Sequence, residues 1–71
     1  MSKIEAEKIE KAYNSFKSSL NEREIDILCR YYGLEGRVRH SLAEIGRIYK
    51  VTRERIRQIK VEGLKKIKIK K

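Results

Sequence analysis

Three helix starts in this chain of 71 residues are marked by a small polar residue followed, three positions later, by a glutamate: Ser2 with Glu5, Asn21 with Glu24, and Ser41 with Glu44. Such a pair closes a helix start reciprocally. The first side chain accepts a backbone N–H of the opening turn, and the glutamate reaches back to the N–H of the cap. Thr52 is a fourth cap, since a threonine hydroxyl accepts an orphan N–H at a helix start. No proline occurs anywhere to interrupt the helices begun in this way. A chain so punctuated is confined to short helices joined by tight turns.

The apolar residues agree. Behind Ser2, the positions Ala6, Ile9, Tyr13, Phe16 and Leu20 recur at three and four residues and predict a helix over about 3–18, weakened by Ser18 and Ser19. Behind Asn21, Ile25, Leu28, Cys29 and Tyr32 form one stripe and predict a helix over about 21–32, with Gly33 as the left-handed residue past its end. Ile27 and Tyr31 lie off that stripe; exposure, contact with the first helix and contact with a partner are all open to them. Gly33 to His40 is a loop with Gly36 as its flexible point, made basic by Arg37 and Arg39, and His40 reads as an ordinary loop residue.

Behind Ser41, Leu42, Ile45, Ile48 and Tyr49 predict a third helix over about 42–49. Gly46 stands in its middle, where glycine costs about 1 kcal/mol relative to alanine, which points to another helix crossing there. After a turn at Tyr49–Val51, a fourth helix is expected over about 53–67, with Gly63 allowing either close packing or a bend. The lysine-rich end from Lys65 reads as too charged to bury. The expected core is Tyr13, Phe16, Leu20, Ile25, Leu28, Cys29, Leu34, Leu42, Ile45, Ile48, Val51, Ile56 and Ile59. The fold class is therefore all-α: a small four-helix domain whose last two helices form a helix-turn-helix.

On a wheel advancing about 100° per residue, Ile56, Ile59, Gly63 and Ile67 of the fourth helix gather in one arc. Glu54, Arg57, Gln58, Val61 and Lys65 gather opposite, with Arg53 at the margin. That outer face carries an acid, an amide and bases, the side chains that read base edges in a major groove: arginine suits guanine, glutamate the cytosine amino group, glutamine adenine. A merely solvated face has the same look, so the charge distribution has to separate the two. Residues 1–35 hold six Lys/Arg against seven Asp/Glu, whereas residues 36–71 hold thirteen against three. A basic half beside a neutral half is the electrostatic footprint of a nucleic-acid binder. An anionic membrane surface fits less well, because the basic helix has no Trp or Phe on its apolar side.

Other classes are excluded by what the chain has in hand. One cysteine and one histidine cannot close a zinc site or a disulfide, so no metal or cofactor is expected, and Cys29 reads as a small core filler. No catalytic residues can be assembled: there is no carboxylate pair, no nucleophile with a base and no phosphate loop, so the chain is not expected to be an enzyme. The absence of a membrane-length apolar run and of a basic-then-apolar leader makes a cytoplasmic setting the default.

Leu20-Asn21-Glu22-Arg23-Glu24 through Tyr32-Gly33-Leu34, then Ser41-Leu42-Ala43-Glu44-Ile45-Gly46, then Val51-Thr52-Arg53-Glu54-Arg55-Ile56-Arg57-Gln58-Ile59 closely resembles region 4 of the bacterial sigma-70 family of RNA polymerase sigma factors. The resemblance covers residues 20–68, about two thirds of the chain. It implies one domain over 1–71, in which 1–34 are region 4.1-like helices, 41–68 a region 4.2-like helix-turn-helix and 69–71 a basic tail. It also implies a function: recognition of the −35 promoter element, with a TTGACA-like consensus, and docking on the β flap of RNA polymerase to direct transcription initiation. The family's DNA-reading positions fall on Arg53, Glu54, Arg57 and Gln58, with Glu54 and Gln58 towards bases and Arg53 and Arg57 towards guanine or phosphate. Arg55, Val61, Lys65, Arg37 and Arg39 complete the expected DNA-binding set, and Ile27 and Tyr31 are the expected partner-binding pair. Partners are thus promoter DNA, the polymerase core and, as a further class, an anti-sigma factor; the setting is a bacterial or phage-encoded protein at the nucleoid. A stand-alone helix-turn-helix regulator, or an interaction module whose helix-turn-helix is idle, are the alternatives. Lys50 stands where the family's turn has glycine, so it must either adopt a left-handed conformation at some cost or alter the turn. Gly63 stands for the family's usual alanine, and the tail lacks the His-Pro ending common in housekeeping sigma factors.

Overall fold

The computed structural model describes residues 3–69. Four α-helices follow one another: α1 Lys3–Phe16, α2 Glu22–Tyr32, α3 Leu42–Tyr49 and α4 Arg53–Lys66. Asn21 Oδ1 accepts the Glu24 N–H at 2.8 Å while Glu24 Oε1 accepts the Asn21 N–H at 3.0 Å. Ser41 and Glu44 do the same at the start of α3, at 3.1 and 2.8 Å. Thr52 Oγ1 caps α4 by accepting the Arg55 N–H at 3.1 Å. The expected cap Ser2 and the tail residues Lys70 and Lys71 lie outside the described residues. α1 stops at Phe16 rather than at 18: a 3-10 turn, Lys17–Ser19, takes over at the two serines, a residue type that favours helix ends over helix interiors.

The helix ends are set by left-handed residues. Gly33 (φ 68°, ψ 36°) ends α2 and returns its N–H to the Cys29 carbonyl. Lys50 adopts the left-handed conformation after all (φ 59°, ψ 43°) and the turn is kept: its N–H reaches Arg47 O at 3.3 Å and the Val51 N–H reaches Gly46 O at 2.9 Å. This is the Schellman arrangement, built here on a lysine that bears the left-handed strain. The same pair of bonds recurs after α4, from Lys68 (φ 67°) to Lys65 O at 3.1 Å and from Ile69 to Leu64 O at 2.9 Å.

The core has two parts that share α2. Ile9, Tyr13, Leu20, Leu28, Cys29, Tyr32, Leu34, Leu64 and Ile67 form one, joining α1 to the middle of the chain and to the end of α4. Ile27, Ile45, Ile56 and Ile59 form the other, under the helix-turn-helix, and Tyr31 packs against both. Several expectations need correction. Ile27 is fully buried, so it is neither a surface residue nor packed on α1; α2 is sandwiched between two clusters and therefore needs two apolar faces. Ile48 and Val51 are 47% and 43% exposed rather than core. The buried arc of the eight-residue α3 runs through Ile45 and Gly46, and Val51 meets α3 with its backbone, leaving its side chain outward. The charged end does not stay out entirely: Ile67 is fully buried and Ile69 packs on the first cluster, while Lys68 between them is exposed. Gly63 serves close packing, since a Cβ there would lie 3.1 Å from Leu28 Cδ1, and α4 runs through it unbroken. Beside it, Lys66 Nζ donates to the buried Glu24 carboxylate at 2.9 Å, tying the end of α4 to the start of α2.

Candidate nucleic-acid interface

Helix α4 is held from below by Ile56 and Ile59 in the second cluster. From the side it is held by α3: a Cβ added at Gly46 would lie 2.8 Å from Val51 O, 3.4 Å from Thr52 C and 3.5 Å from Arg53 N. The turn and the first residue of α4 thus rest on the backbone of α3, where only glycine leaves room. So positioned, α4 exposes Arg53, Glu54, Arg55, Arg57, Gln58 and Lys65, with Val61 half-buried among them.

Two of these side chains are already joined. Arg57 Nε donates to Glu54 Oε1 at 2.8 Å and Arg57 Nη2 to Glu54 Oε2 at 2.6 Å, a two-pronged pair across one helical turn. The Arg57 guanidinium holds the Glu54 carboxyl below the usual carboxylate range, and the carboxylate in turn raises Arg57. The acid of the outward face therefore carries its own neutralising cation.

The two flanks of α4 are both basic. On one, Arg53 lines an open hollow with Arg39, His40, Tyr31 and the first turn of α3. On the other, Arg55 shares a small hollow of Val51, Tyr49, Ile56 and Ile59 with Arg23, a residue absent from the sequence-derived set. Arg39 donates its Nε to the Tyr31 carbonyl at 3.3 Å and remains exposed. Arg37 is exposed as well, with its guanidinium bonded to Asp26. Of the expected partner-binding pair, Ile27 is lost to the core, and Tyr31 is half-buried, edge-on to Tyr32 at 4.9 Å with the Lys60 ammonium 4.8 Å from its ring centroid.

Asp26 is a polar hub that has little signal in the sequence. It accepts Arg30 Nε at 2.9 Å, and Tyr49 Oη and Arg37 Nη1 also bond it, so it fastens the end of α3 and the basic loop to α2. Only its i, i+4 spacing to Arg30 is visible in the sequence. Burial pushes its carboxyl up, but the hydrogen bonds from Tyr49, Arg30 and Arg37 outweigh burial and hold it down to about 2. Burial, with the bond to Asp26 behind it, pushes Tyr49 up to about 12. An Asp pKa lowered on folding contributes stability that is complete above its unfolded value of about 3.9 and is lost as pH falls towards about 2. The contribution at neutral pH is on the order of 2 kcal/mol. Urea melts between pH 7 and pH 2 are expected to show that loss in the parent, with a shallower acid limb in Asp26→Asn; parallel curves would remove the hub.

Among the described residues no cluster of His, Cys, Asp or Glu could hold a metal ion, and no helix is long and apolar enough to cross a membrane. The family model described as Sigma-70, region 4 matches residues 18–68. The RNA polymerase sigma factor SigA of Nostoc sp. is 50% identical over 50 residues, which are 70% of this chain and 13% of that protein. SigA1 of Synechococcus elongatus is 47% identical over 51 residues, 72% of this chain and 13% of that protein. SigA of Lactococcus lactis subsp. cremoris is 42% identical over 50 residues, 70% of this chain and 14% of that protein. The chain thus spans about an eighth of the length of the curated relatives it matches. No solved structure matches it.

Proposed function

The chain belongs to the sigma-70 region 4 family, helix-turn-helix DNA-binding domains of transcription, and on that premise we propose that it recognises the −35 promoter element and docks on the β flap of RNA polymerase to direct transcription initiation. The observation that carries this reading is the outward face of α4, where Glu54, Arg57 and Gln58 stand exposed between two basic flanks. Glu54 accepts from a cytosine amino group and Gln58 pairs with adenine, while Val61 offers apolar contact to a thymine methyl. Arg53 with Arg39 on one side, and Arg55 with Arg23 on the other, take the phosphates that border the groove; Lys65 extends the track along α4. Arg37 adds charge to the same loop despite its bond to Asp26. Phosphate contacts of this kind set register and carry no sequence information themselves. The β flap is read by the less charged half of the chain, where Tyr31 is the remaining accessible member of the expected pair. The setting is the cytoplasm, at the nucleoid.

Titration of a labelled duplex bearing a TTGACA-like hexamer, and of a scrambled duplex, tests the DNA half of this proposal. Affinity for both is expected to fall steeply as salt rises from about 50 to 200 mM, each phosphate contact adding about 0.9 to the slope of log affinity against log salt. The hexamer duplex is expected to stay the tighter of the two throughout. A flat salt response removes DNA as the partner. For the second half, a flap-tip peptide is expected to shift NMR signals within residues 20–34, and no shift there would count against polymerase docking.

A further inference from the structure

A lone glutamate on a surface that meets DNA has two handicaps. The phosphates repel it, and a long, freely rotating side chain loses entropy when it is fixed on one base. The geometry at Glu54 reduces both before DNA arrives. Each of its oxygens already accepts one N–H from Arg57, at 2.8 and 2.6 Å, so the carboxylate's charge is partly offset and its orientation is biased. A carboxylate has about four acceptor positions and a guanidinium five N–H donors. With two of each engaged in the fork, and Gln58 also hydrogen-bonding the Glu54 carboxylate, both groups still keep unsatisfied capacity: roughly one acceptor position on Glu54 and three donors on Arg57. Both side chains are half-exposed, at 57% and 50%, so that capacity is open to a ligand.

We propose that Arg57 is the positioning residue for Glu54: its fork fixes the carboxylate as the acceptor that reads one cytosine, so that the two side chains act on DNA as one unit. The inference rests on the promoter-reading function proposed above. It assigns Arg57 a role different from an independent contact to guanine or phosphate. The fork is a property of arginine alone. A lysine at the same place keeps the charge but is a point donor, unable to grip both oxygens in one plane.

Selection of bound duplexes from a random library, paired with salt titration, tests this on the parent, Glu54→Ala, Arg57→Ala, Arg57→Lys and the double alanine variant, with circular dichroism melts to verify folding. Glu54→Ala is expected to flatten the preference at one base pair. Arg57→Ala is expected to flatten the same base pair, and the double variant to lose nothing further there. Arg57→Lys is expected to keep the parent's salt slope yet lose about five- to tenfold of the preference at that pair, the low end of what one good bidentate contact discriminates. A merely electrostatic role for Arg57 moves the salt slope and spares the base preference. The fork is overturned on its own if Glu54→Ala flattens one base pair while Arg57→Ala spares it or flattens a different one, or if Arg57→Lys keeps the full preference. If Glu54→Ala leaves every preference intact, the reading surface itself falls and the fork with it.

Discussion

Ile56→Ala is expected to lower stability by about 2–5 kcal/mol, the range for truncating a large aliphatic side chain in a packed core. Ile56 has no exposed surface and packs in one cluster with Ile27 of α2, Ile45 of α3 and Ile59 of α4. That cluster fastens the outward helix to the rest of the chain, and the cavity cannot be filled without moving one of the three helices. A chain of 71 residues has a total stability of the same order as the loss. The midpoint of thermal unfolding should therefore fall by about 8 °C or more, at roughly 4–8 °C per kcal/mol for a domain of this size. A variant melting within a few degrees of the parent would place Ile56 outside the core and reverse the inner and outer faces of α4.

Gly46→Ala has the second large effect, and it separates packing from propensity. On an isolated helix the change is favourable by about 1 kcal/mol. Here the new Cβ would lie 2.8 Å from Val51 O, with backbone atoms of Thr52 and Arg53 just beyond. Backbone cannot rotate aside as a side chain does, so the start of α4 has to move away from α3. Overpacking of this kind costs about 1–3 kcal/mol, enough to outweigh the gain in propensity. The displacement falls on the residues that open the face proposed to read DNA, so discrimination between hexamer and scrambled duplex should fall further than affinity for the scrambled one. Gly63→Ala is the control. Its new Cβ would meet a side chain, Leu28 at 3.1 Å, rather than backbone at 2.8 Å, and its effect on stability should be the smaller. If Gly46→Ala melts above the parent and keeps its base preference, α3 and α4 are not in the contact described.

The helix starts are legible in the sequence because caps and their glutamates are local chemistry: Asn21, Ser41 and Thr52 each bond the N–H their spacing foretells. The face of α4 is legible for a related reason, since a helical wheel needs only one helix. What escapes is whatever depends on a second element. A single stripe on α2 leaves Ile27 over, because nothing local says that a helix will be packed on both sides. Ile48 and Val51 look like core by type, but α3 is short and Gly46 brings the chain's own backbone in where a side chain would otherwise fit. Ile67 sits among lysines, and only the return of α4 to the first cluster shows that an apolar residue of that stretch goes inward. Asp26 and Arg37 lie eleven positions apart, and the place of the arginine in a basic loop gives no sign that it also serves a carboxylate. The Glu54–Arg57 pair is the reverse case: its i, i+3 spacing is in plain view, yet two charged residues on an outward face look like two separate contacts until their fork is seen.

Whether the outward face of α4 reads the −35 element is measured most directly by sequence selection. Random duplexes retained by the parent should converge on a TTGACA-like hexamer. Glu54→Ala and Gln58→Ala should each relax that consensus, at neighbouring base pairs, while still retaining DNA through the basic flanks. An unchanged consensus in both variants, or no consensus from the parent, would contradict the assignment of α4 as the promoter-reading helix.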